Sequence, residues 1–400
     1  IEDGHPIAFD SNKCLLRYRL DHPAITGAWV TDYYARTHVA LESAFFVIGS
    51  SLFDAKDRLR SHVNQDPGDH NYGEDNRKAM YRMLRDFFRV GEGEEIECAK
   101  EIKTAEELSV KLPEVNLDFR RIAADLAREL PRKSPLPLDP SGLRLWRTQS
   151  AAKLKEVLRA GEFSTDPTAA WTLDDPKTRL RAAAWKIKVG STWSVPALVL
   201  ERQGTTPTGT TLILGEGSRV ESSARATAVL EAGRRVVLVD LFYFGESKIP
   251  QRDFLVALLL ATVGERPLGI QTSELAAVAR WARHTWGDQP VEVEAHGPRV
   301  GVIALAAAAL EDQAIAAVTL HRPLGSLKQL IETGQDVTKS PELFCHSLLE
   351  GFDVTTLATL IAPRPISVLE ASARACEEFQ SIQSWYQDRG GRLTISGQGQ

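Results

Sequence analysis

From about residue 180 onward, short runs of Val, Ile and Leu alternate with stretches whose apolar residues recur every three or four positions. Ala182–Val189 and Ser194–Glu201 read as a hairpin. Thr210–Leu214, Arg235–Asp240, Pro290–Ala295, Ile315–Leu320 and Pro365–Leu369 read as strands, and a last strand starts at Arg392. Ser222–Ala232, ended by Gly233, and Thr272–His284, Val300–Leu310 and Glu377–Tyr386 read as helices. Continuous apolar strands alternating with helices predict an α/β fold, with a mostly parallel sheet covered by helices on both faces.

The N-terminal part has a different texture. Lys13–Leu20 reads as a short strand followed by a turn at Asp21, and Asp32 to about Phe53 as a helix. Arg58–Val63 alternates like a strand, Asp66–Asp69 is a turn, and Asp75 is placed to cap a helix over Asn76–Phe88. Gly91–Glu97 is a polar linker, Leu117–Leu130 an amphipathic helix, and Pro131, Pro135, Pro137 and Pro140 a stiff spacer. A chain of 400 residues is too long for one core, since cores stop growing at about 250–300 residues. The expected division is a first domain over 1–92, a linker with a helix over 93–140, and a second domain over 141–400.

Composition narrows the function classes. The chain is 43% hydrophobic and 25% charged, with a net charge of −5, so it lacks the basic footprint of a nucleic-acid binder. No apolar run reaches the roughly 18 residues of a membrane span. Cys14, Cys98, Cys345 and Cys376 lie far apart, which predicts neither a CxxC metal site nor a dense disulfide framework and leaves the redox compartment open. No metal or other cofactor is expected. The chain starts at Ile1 with no initiator Met and no signal-like segment, as a processed or excised piece would.

Two places carry candidate chemistry. Val291–Ala295, a turn and an Ala-rich helix make a strand–turn–helix corner of the kind that exposes a nucleophile. Reading Gly297-Pro298-Arg299-Val300-Gly301 as G-x-nucleophile-x-G puts Arg299 at the reactive position, where a guanidinium cannot attack a carbonyl. His296 is the other reactive side chain in that turn. Glu370 stands after Pro365–Leu369, where an acid would sit, but no histidine follows the last strand. Gly215-Glu216-Gly217 could offer amide N–H groups to an oxyanion, and Asp240 could line the crevice or simply shape a tight turn with Gly245. The second place is His70, on a loop before a helix, either a base aimed at a cleft or a surface histidine. Asp21 is either its orienter or an ordinary turn residue.

Asp66-Pro-Gly-Asp-His-Asn-Tyr72 followed by Asn76-Arg-Lys-Ala-Met-Tyr81 resembles the closing segment of acetylxylan-esterase-like members of the α/β-hydrolase superfamily. The resemblance implies that His70 is the histidine of a Ser-His-Asp triad, with Asp21 near the position of its acid. Ala232–Asp240, Phe244–Ser247 and Ile361–Pro365 are similar to further landmarks of that superfamily. By this resemblance the chain holds the end of a first hydrolase domain and a whole second one with a degenerate elbow. The implied substrates are small carboxylic or carbohydrate esters, cleaved with a serine not found in this chain. The alternative is a hydrolase-fold binding or scaffold protein using Arg299 and His296 as carboxylate or sugar contacts. The aromatics of 1–92 call for a covering surface, for which a homo-oligomer is one source.

Overall fold

The computed structural model describes residues 29–32, 37–40, 60, 62–65, 68–91, 99–131, 139–217, 219–249, 253–287 and 291–397. The chain divides into two units, Ile1–Pro113 and Glu114–Gln400.

In the first unit, β1 (Trp29–Asp32) and β2 (Thr37–Ala40) pair antiparallel, with Trp29 opposite Ala40 and Val30 opposite Val39. A helix is expected from Asp32, and a strand forms instead at Thr37–Ala40. Val30, Thr31, Thr37 and Val39 are β-branched, stiff in a helix and well suited to a pleated surface. The rest of that expected helix, the expected strand Lys13–Leu20 and Asp21 lie outside the described residues. Helix α1 (Glu74–Phe88) starts two residues earlier than expected, with Gly73 rather than Asp75 at its N-cap. Glu74 and Asp75 then lie in the first turn, where negative charge suits the helix dipole. Arg60, His62 and Val63, expected in a strand, are irregular. Arg60 Nη1 pairs with Asp86 Oδ2 at 2.5 Å, and His62 Nε2 lies 3.0 Å from Asp75 Oδ2, so polar contacts hold these residues along the helix.

The second unit opens with α2 (Phe119–Ala127), capped by Asp118, whose carboxylate accepts from Arg121 N at 2.7 Å. Helix α3 (Pro140–Leu158) follows, starting at the last proline of the expected spacer and running through residues for which no element is expected. Pro140 occupies the first helical position, where a missing N–H costs nothing, and Asp139 accepts from Gly142 N at 2.8 Å. Then come β3 (Thr165–Asp175), β4 (Leu180–Val189), β5 (Trp193–Arg202), β6 (Thr210–Gly215), α4 (Ser223–Glu231), β7 (Arg235–Val239), α5 (Asp253–Thr262) and α6 (Pro267–Thr285). The remainder is β8 (Val291–His296), α7 (Pro298–Leu310), β9 (Ala317–His321), α8 (Val354–Ile361), β10 (Ile366–Ala371), α9 (Ala373–Gln380), α10 (Gln383–Gln387) and β11 (Leu393–Gly397), with shorter helical turns between β9 and α8. The single helix expected over Glu377–Tyr386 is broken into α9 and α10. The break lets Tyr386 and Trp385 turn inward, where Tyr386 Oη donates to Ala358 O at 2.7 Å and Trp385 Nε1 to Thr359 O at 3.3 Å.

The nine strands form one sheet in the order β11-β10-β9-β8-β6-β7-β5-β4-β3. Neighbours from β11 to β7 run parallel, and β5, β4 and β3 extend the sheet antiparallel. Side chains alternate between two cores. Leu212, Leu214, Val237 and Val239 face the larger, which holds α6 and α7, while Ile213, Val236 and Leu238 meet Val229 and Leu230 of α4 on the other side. Helix α7 is buried without a break from Val300 to Ala309. This is the mostly parallel, helix-covered α/β architecture expected from the strand pattern. Among the described residues, no single helix is long and apolar enough to cross a membrane.

Helix α6 is buried along nearly its whole length, so its polar side chains must find partners inside. Gln271 Nε2 donates to Phe242 O and Glu274 Oε2 accepts from Phe242 N, both at 2.8 Å, which clamps the loop after β7 by both backbone groups of one residue. Ser273 Oγ donates to Gly269 O at 2.6 Å and accepts from Gly161 N at 3.0 Å. At Gly269 the chain passes so close to α3 that a Cβ would stand 1.7 Å from Leu158 O.

Gly269→Ala is therefore expected to force α3 and α6 apart and to lower the thermal midpoint of the second unit by roughly 5–10 °C, as read by circular dichroism. Burial pushes the Glu274 carboxyl up to about 8, from an ordinary value of 4.5, so the folded chain keeps a proton that the unfolded chain has already lost. Stability contributed by this group is fully present at low pH and falls as pH rises between those two values. Glu274→Gln should remove that fall, so the variant gains on the wild type in chemical denaturation as the pH goes from acid to about 8. Equal pH slopes for the two proteins would refute the assignment.

Candidate functional site at the strand C-termini

Every parallel strand of the second unit delivers its C-terminal end to one edge of the sheet, where open α/β sheets place their crevice. The backbone is special there. Tyr243 (φ 73) follows β7, Arg322 (φ 49) follows β9 and Glu370 (φ 53) lies in β10, three non-glycine residues in the left-handed region. Such positions persist where the surroundings over-determine them.

The central corner is the passage from β8 to α7. It turns at Gly297, which has φ 125, hydrogen-bonds His321 O through its own N–H at 2.9 Å, and is the N-cap of α7. Arg299, placed at the turn by the G-x-x-x-G spacing, lies two residues further on, in the first turn of the helix. Its guanidinium grips the buried Glu342 with two contacts, Nε to Oε1 at 2.5 Å and Nη2 to Oε2 at 3.0 Å, and rests over the Phe244 ring at 4.7 Å. Gly301 lies in the helix, with Pro323 and Leu320 the nearest atoms a Cβ would meet, at ordinary contact distance. The elbow position itself therefore belongs to Gly297, which has no side chain.

Two more features mark this corner. Pro298 follows the elbow residue and has no backbone N–H, the group that would hold an oxyanion at this place. The helix N-terminus is also occupied. The Glu216 carboxylate, on the loop after β6, accepts from Arg299 N and is further held by the Val300 amide. Burial raises the pKa of Glu216 despite these bonds. A Cβ on Gly297 would stand 2.5 Å from the Glu216 side chain. Gly215 ends β6 beside Ser222 Oγ and Gly217 continues the loop, so the segment expected to offer amides presents a carboxylate instead.

Asp240 is buried just after β7. Its Oδ2 accepts from Glu246 N and from Arg219 Nε, each at 3.1 Å, and its carbonyl accepts from Ser247 Oγ at 3.1 Å. A Cβ on Gly245 would collide with its carboxyl at 2.1 Å. Asp240 thus shapes the turn through Gly245.

Next to the corner lies a cluster that sequence spacing does not bring together. Register pairs His296 at the end of β8 with His321 at the end of β9, and their rings stack at 4.1 Å with a 13° interplanar angle. Glu294, two residues before His296 and so on the same face of β8, turns Oε1 to both rings, 2.8 Å from His296 Nε2 and 2.9 Å from His321 Nε2. Arg225 of α4 also donates to that oxygen. On its far side His321 Nδ1 meets Glu370 Oε1 at 3.0 Å, and Arg322 lies 3.8 Å from Glu370 Oε2. Burial would push the Glu294 carboxyl up, but His296, His321 and Arg225 outweigh it and hold the group well below the usual carboxylate range. Burial likewise disfavours charge on His321, and the two carboxylates outweigh it, so its pKa is raised. His321 is a buried member of this network, and Glu370 is an acid paired with a histidine from the adjacent strand. The signal was there in Val291–His296: a buried strand that carries glutamates and ends in histidine.

In the first unit, His70 is exposed on the loop before α1. The loop is pinned to the helix: Asn71 Oδ1 accepts from Gly73 N at 2.6 Å, Asn76 Nδ2 donates to Asn71 O at 2.9 Å, and Arg77 Nη1 donates to Tyr72 O at 2.7 Å.

No protein-family model matches the chain, and no curated protein matches it. Solved structures do. The chain is similar to a candidate acetyl xylan esterase from Bacteroides fragilis, with a TM-score of 0.57 and 16% identity over 73% of this chain and 85% of that one. Weaker likenesses, at TM-scores of 0.47 and 0.48 and 14% identity, are to acetyl xylan esterase 1 from a Thermoanaerobacterium species (69% of this chain, 93% of that one) and to a promiscuous CE15 esterase from a marine bacterial metagenome (68% and 94%). The first likeness speaks for fold alone, and with the sheet order and the strand–helix corner it gives the chain an α/β-hydrolase-like fold.

Proposed function

We propose that this chain comes from a carboxylic ester hydrolase lineage acting on small carbohydrate esters, and that its second unit is a hydrolase-fold binding module that does not cleave esters by a serine route. One observation carries the reading of the second unit. The β8–α7 corner combines Gly297 in the nucleophile position, Pro298 in the place of an oxyanion N–H donor, and the Glu216 carboxylate on the amides that remain. Nucleophile, donor and vacant anion site are three separate requirements of acyl transfer, and the corner lacks each for a different reason.

The binding role is supported by what lines the same edge. Arg322 and Glu370 are exposed, and Arg225 and His296 are partly so. Donors and acceptors interleaved along one edge suit a polyhydroxylated ligand. Arg299, engaged with Glu342, is not a ligand contact in this reading. For the lineage as a whole, His70 is the general base of a Ser-His-Asp mechanism, with Asp21 as its orienter and the serine supplied from outside this chain. The pinned, exposed loop that carries His70 suits that role.

The test is covalent labelling. Treated with a serine-directed fluorophosphonate, the purified chain should show no adduct on any serine of the second unit, and p-nitrophenyl acetate should give no burst of nitrophenol. An adduct that maps to residues 114–400 would overturn the proposal. Gly297→Ser should not create activity, because Pro298 and Glu216 still deny the oxyanion its donors. It should instead lower the thermal midpoint, since the new Cβ meets the Glu216 side chain and the backbone there is left-handed.

A further inference from the structure

We propose that Glu294, His296 and His321 form a binding site for a divalent transition-metal ion of the zinc class, built at the C-terminal ends of β8 and β9. The ligand atoms of the three residues lie within 4.8 Å of one another. The Glu294 oxygen stands 2.8 and 2.9 Å from the two ring nitrogens. A zinc ion about 2.1 Å from each donor needs donors about 3.0–3.4 Å apart, so small side-chain rotations open the pocket. Two imidazoles and one carboxylate are the donor set of three-ligand zinc sites and of facial triads, which leave further positions open.

An independent observation points the same way. His321 is 7% exposed, and its buried Nε2 lies 2.9 Å from the Glu294 oxygen without the alignment of a well-formed hydrogen bond. A buried ring nitrogen aimed at a shared carboxylate oxygen but out of line with it is the arrangement a metal ion would resolve. The far side of the same ring is already set for ligation. Glu370 Oε1 at 3.0 Å from Nδ1 fixes the tautomer that leaves the Nε2 lone pair toward the cluster. The site has a way in, because the His296 side chain is 20% exposed, and the open positions would face the crevice. Arg225 shares the Glu294 oxygen, but its side chain is 41% exposed and can swing into solvent when the ion enters. Strand register holds the two rings side by side, and because their planes are within 13° of parallel one ring must tilt for both in-plane lone pairs to meet the ion.

This site is independent of the serine chemistry considered above. It needs neither Gly297 nor Glu216, and it can exist in a module that turns over no ester.

The experiment is metal binding to the full chain after chelator treatment, with Zn²⁺ followed by calorimetry and Co²⁺ by its visible absorption. One equivalent is expected, with a Co²⁺ spectrum of mixed nitrogen and oxygen ligation. Glu294→Gln and His296→Ala should each abolish that equivalent, with the fold checked by circular dichroism. Glu370→Gln, which reaches the cluster only through the far nitrogen of His321, should weaken it about 10–100-fold. His296 is near the surface, so its variant keeps the test decisive should a change at His321 unfold the unit. Uptake of no metal, or uptake unchanged in both Glu294→Gln and His296→Ala, would overturn the proposal. The latter result would place the ion on the chain's other histidines.

Discussion

The second unit depends on one backbone event, the reversal from β8 into α7. Strand β8 lies between β6 and β9 with both neighbours parallel, and α7 is buried from Val300 to Ala309. Chain must pass from the sheet's edge into the middle of its cover within two residues. Gly297 meets that constraint with a left-handed φ, Pro298 begins the helix with its ring already at the helical angle, and Glu216 satisfies amides that a buried helix end would otherwise leave bare. Each choice improves the corner as structure and removes something from it as chemistry. A serine here would add strain and a clash, and an N–H in place of Pro298 would need a partner in the absence of substrate. The features that argue against acyl transfer are thus the same ones that stabilise the turn.

The same geometry explains why chemistry-bearing side chains still gather at this edge. Parallel strands in register end together, so residues far apart in sequence become neighbours without any local motif. His296 faces His321 because β8 and β9 pair residue for residue, and Glu370 reaches the ring because Leu369 pairs with His321 across β9 and β10. Three adjacent strands therefore place a carboxylate, two imidazoles and a second carboxylate in a row, with Arg225 and Arg322 as counter-charges. A buried carboxylate is tolerated only with such partners.

Legibility in the sequence followed the physics of each element. The buried parallel strands were readable because a strand covered on both faces is a continuous apolar run, and Thr210–Leu214, Arg235–Asp240 and Ile315–Leu320 fall within two residues of the observed bounds. β3 was not readable: it is an edge strand whose sequence, Thr165–Asp175, is mostly exposed and carries Pro167 and three aspartates. Helix α3 hid behind its own proline, because Pro140 signals a spacer in the abstract and a helix start when Asp139 stands before it. Asp32–Ala40, read as the start of a helix, misled because so short a mixed segment fits either period, and only pairing decides. At the site, the strand–helix corner was legible and its register was not. The spacing Gly297…Gly301 centres on Arg299, whereas the turn is set by which residue can take φ 125, and of these only glycine does so without strain. Glu294 and His321 were invisible as a pair because nothing in one strand announces its neighbour.

A fold and a mechanism can therefore part company within one corner. The sheet order and the strand–helix turn are what packing requires, and Glu370, within β10, is held by His321 and Arg322. A nucleophile and an oxyanion donor are required only by turnover, and a buried turn without turnover gains by replacing them with glycine, proline and an internal carboxylate. What cannot be read as a packing solution is Glu294 with its two histidines. An apolar residue at Glu294 would spare the strand a buried charge, and an apolar residue at His321 would spare it a ring nitrogen without a well-formed hydrogen bond. Buried polar groups that cost stability, lie at a strand C-terminal edge and converge on a single point are better explained by something they hold than by the fold they sit in.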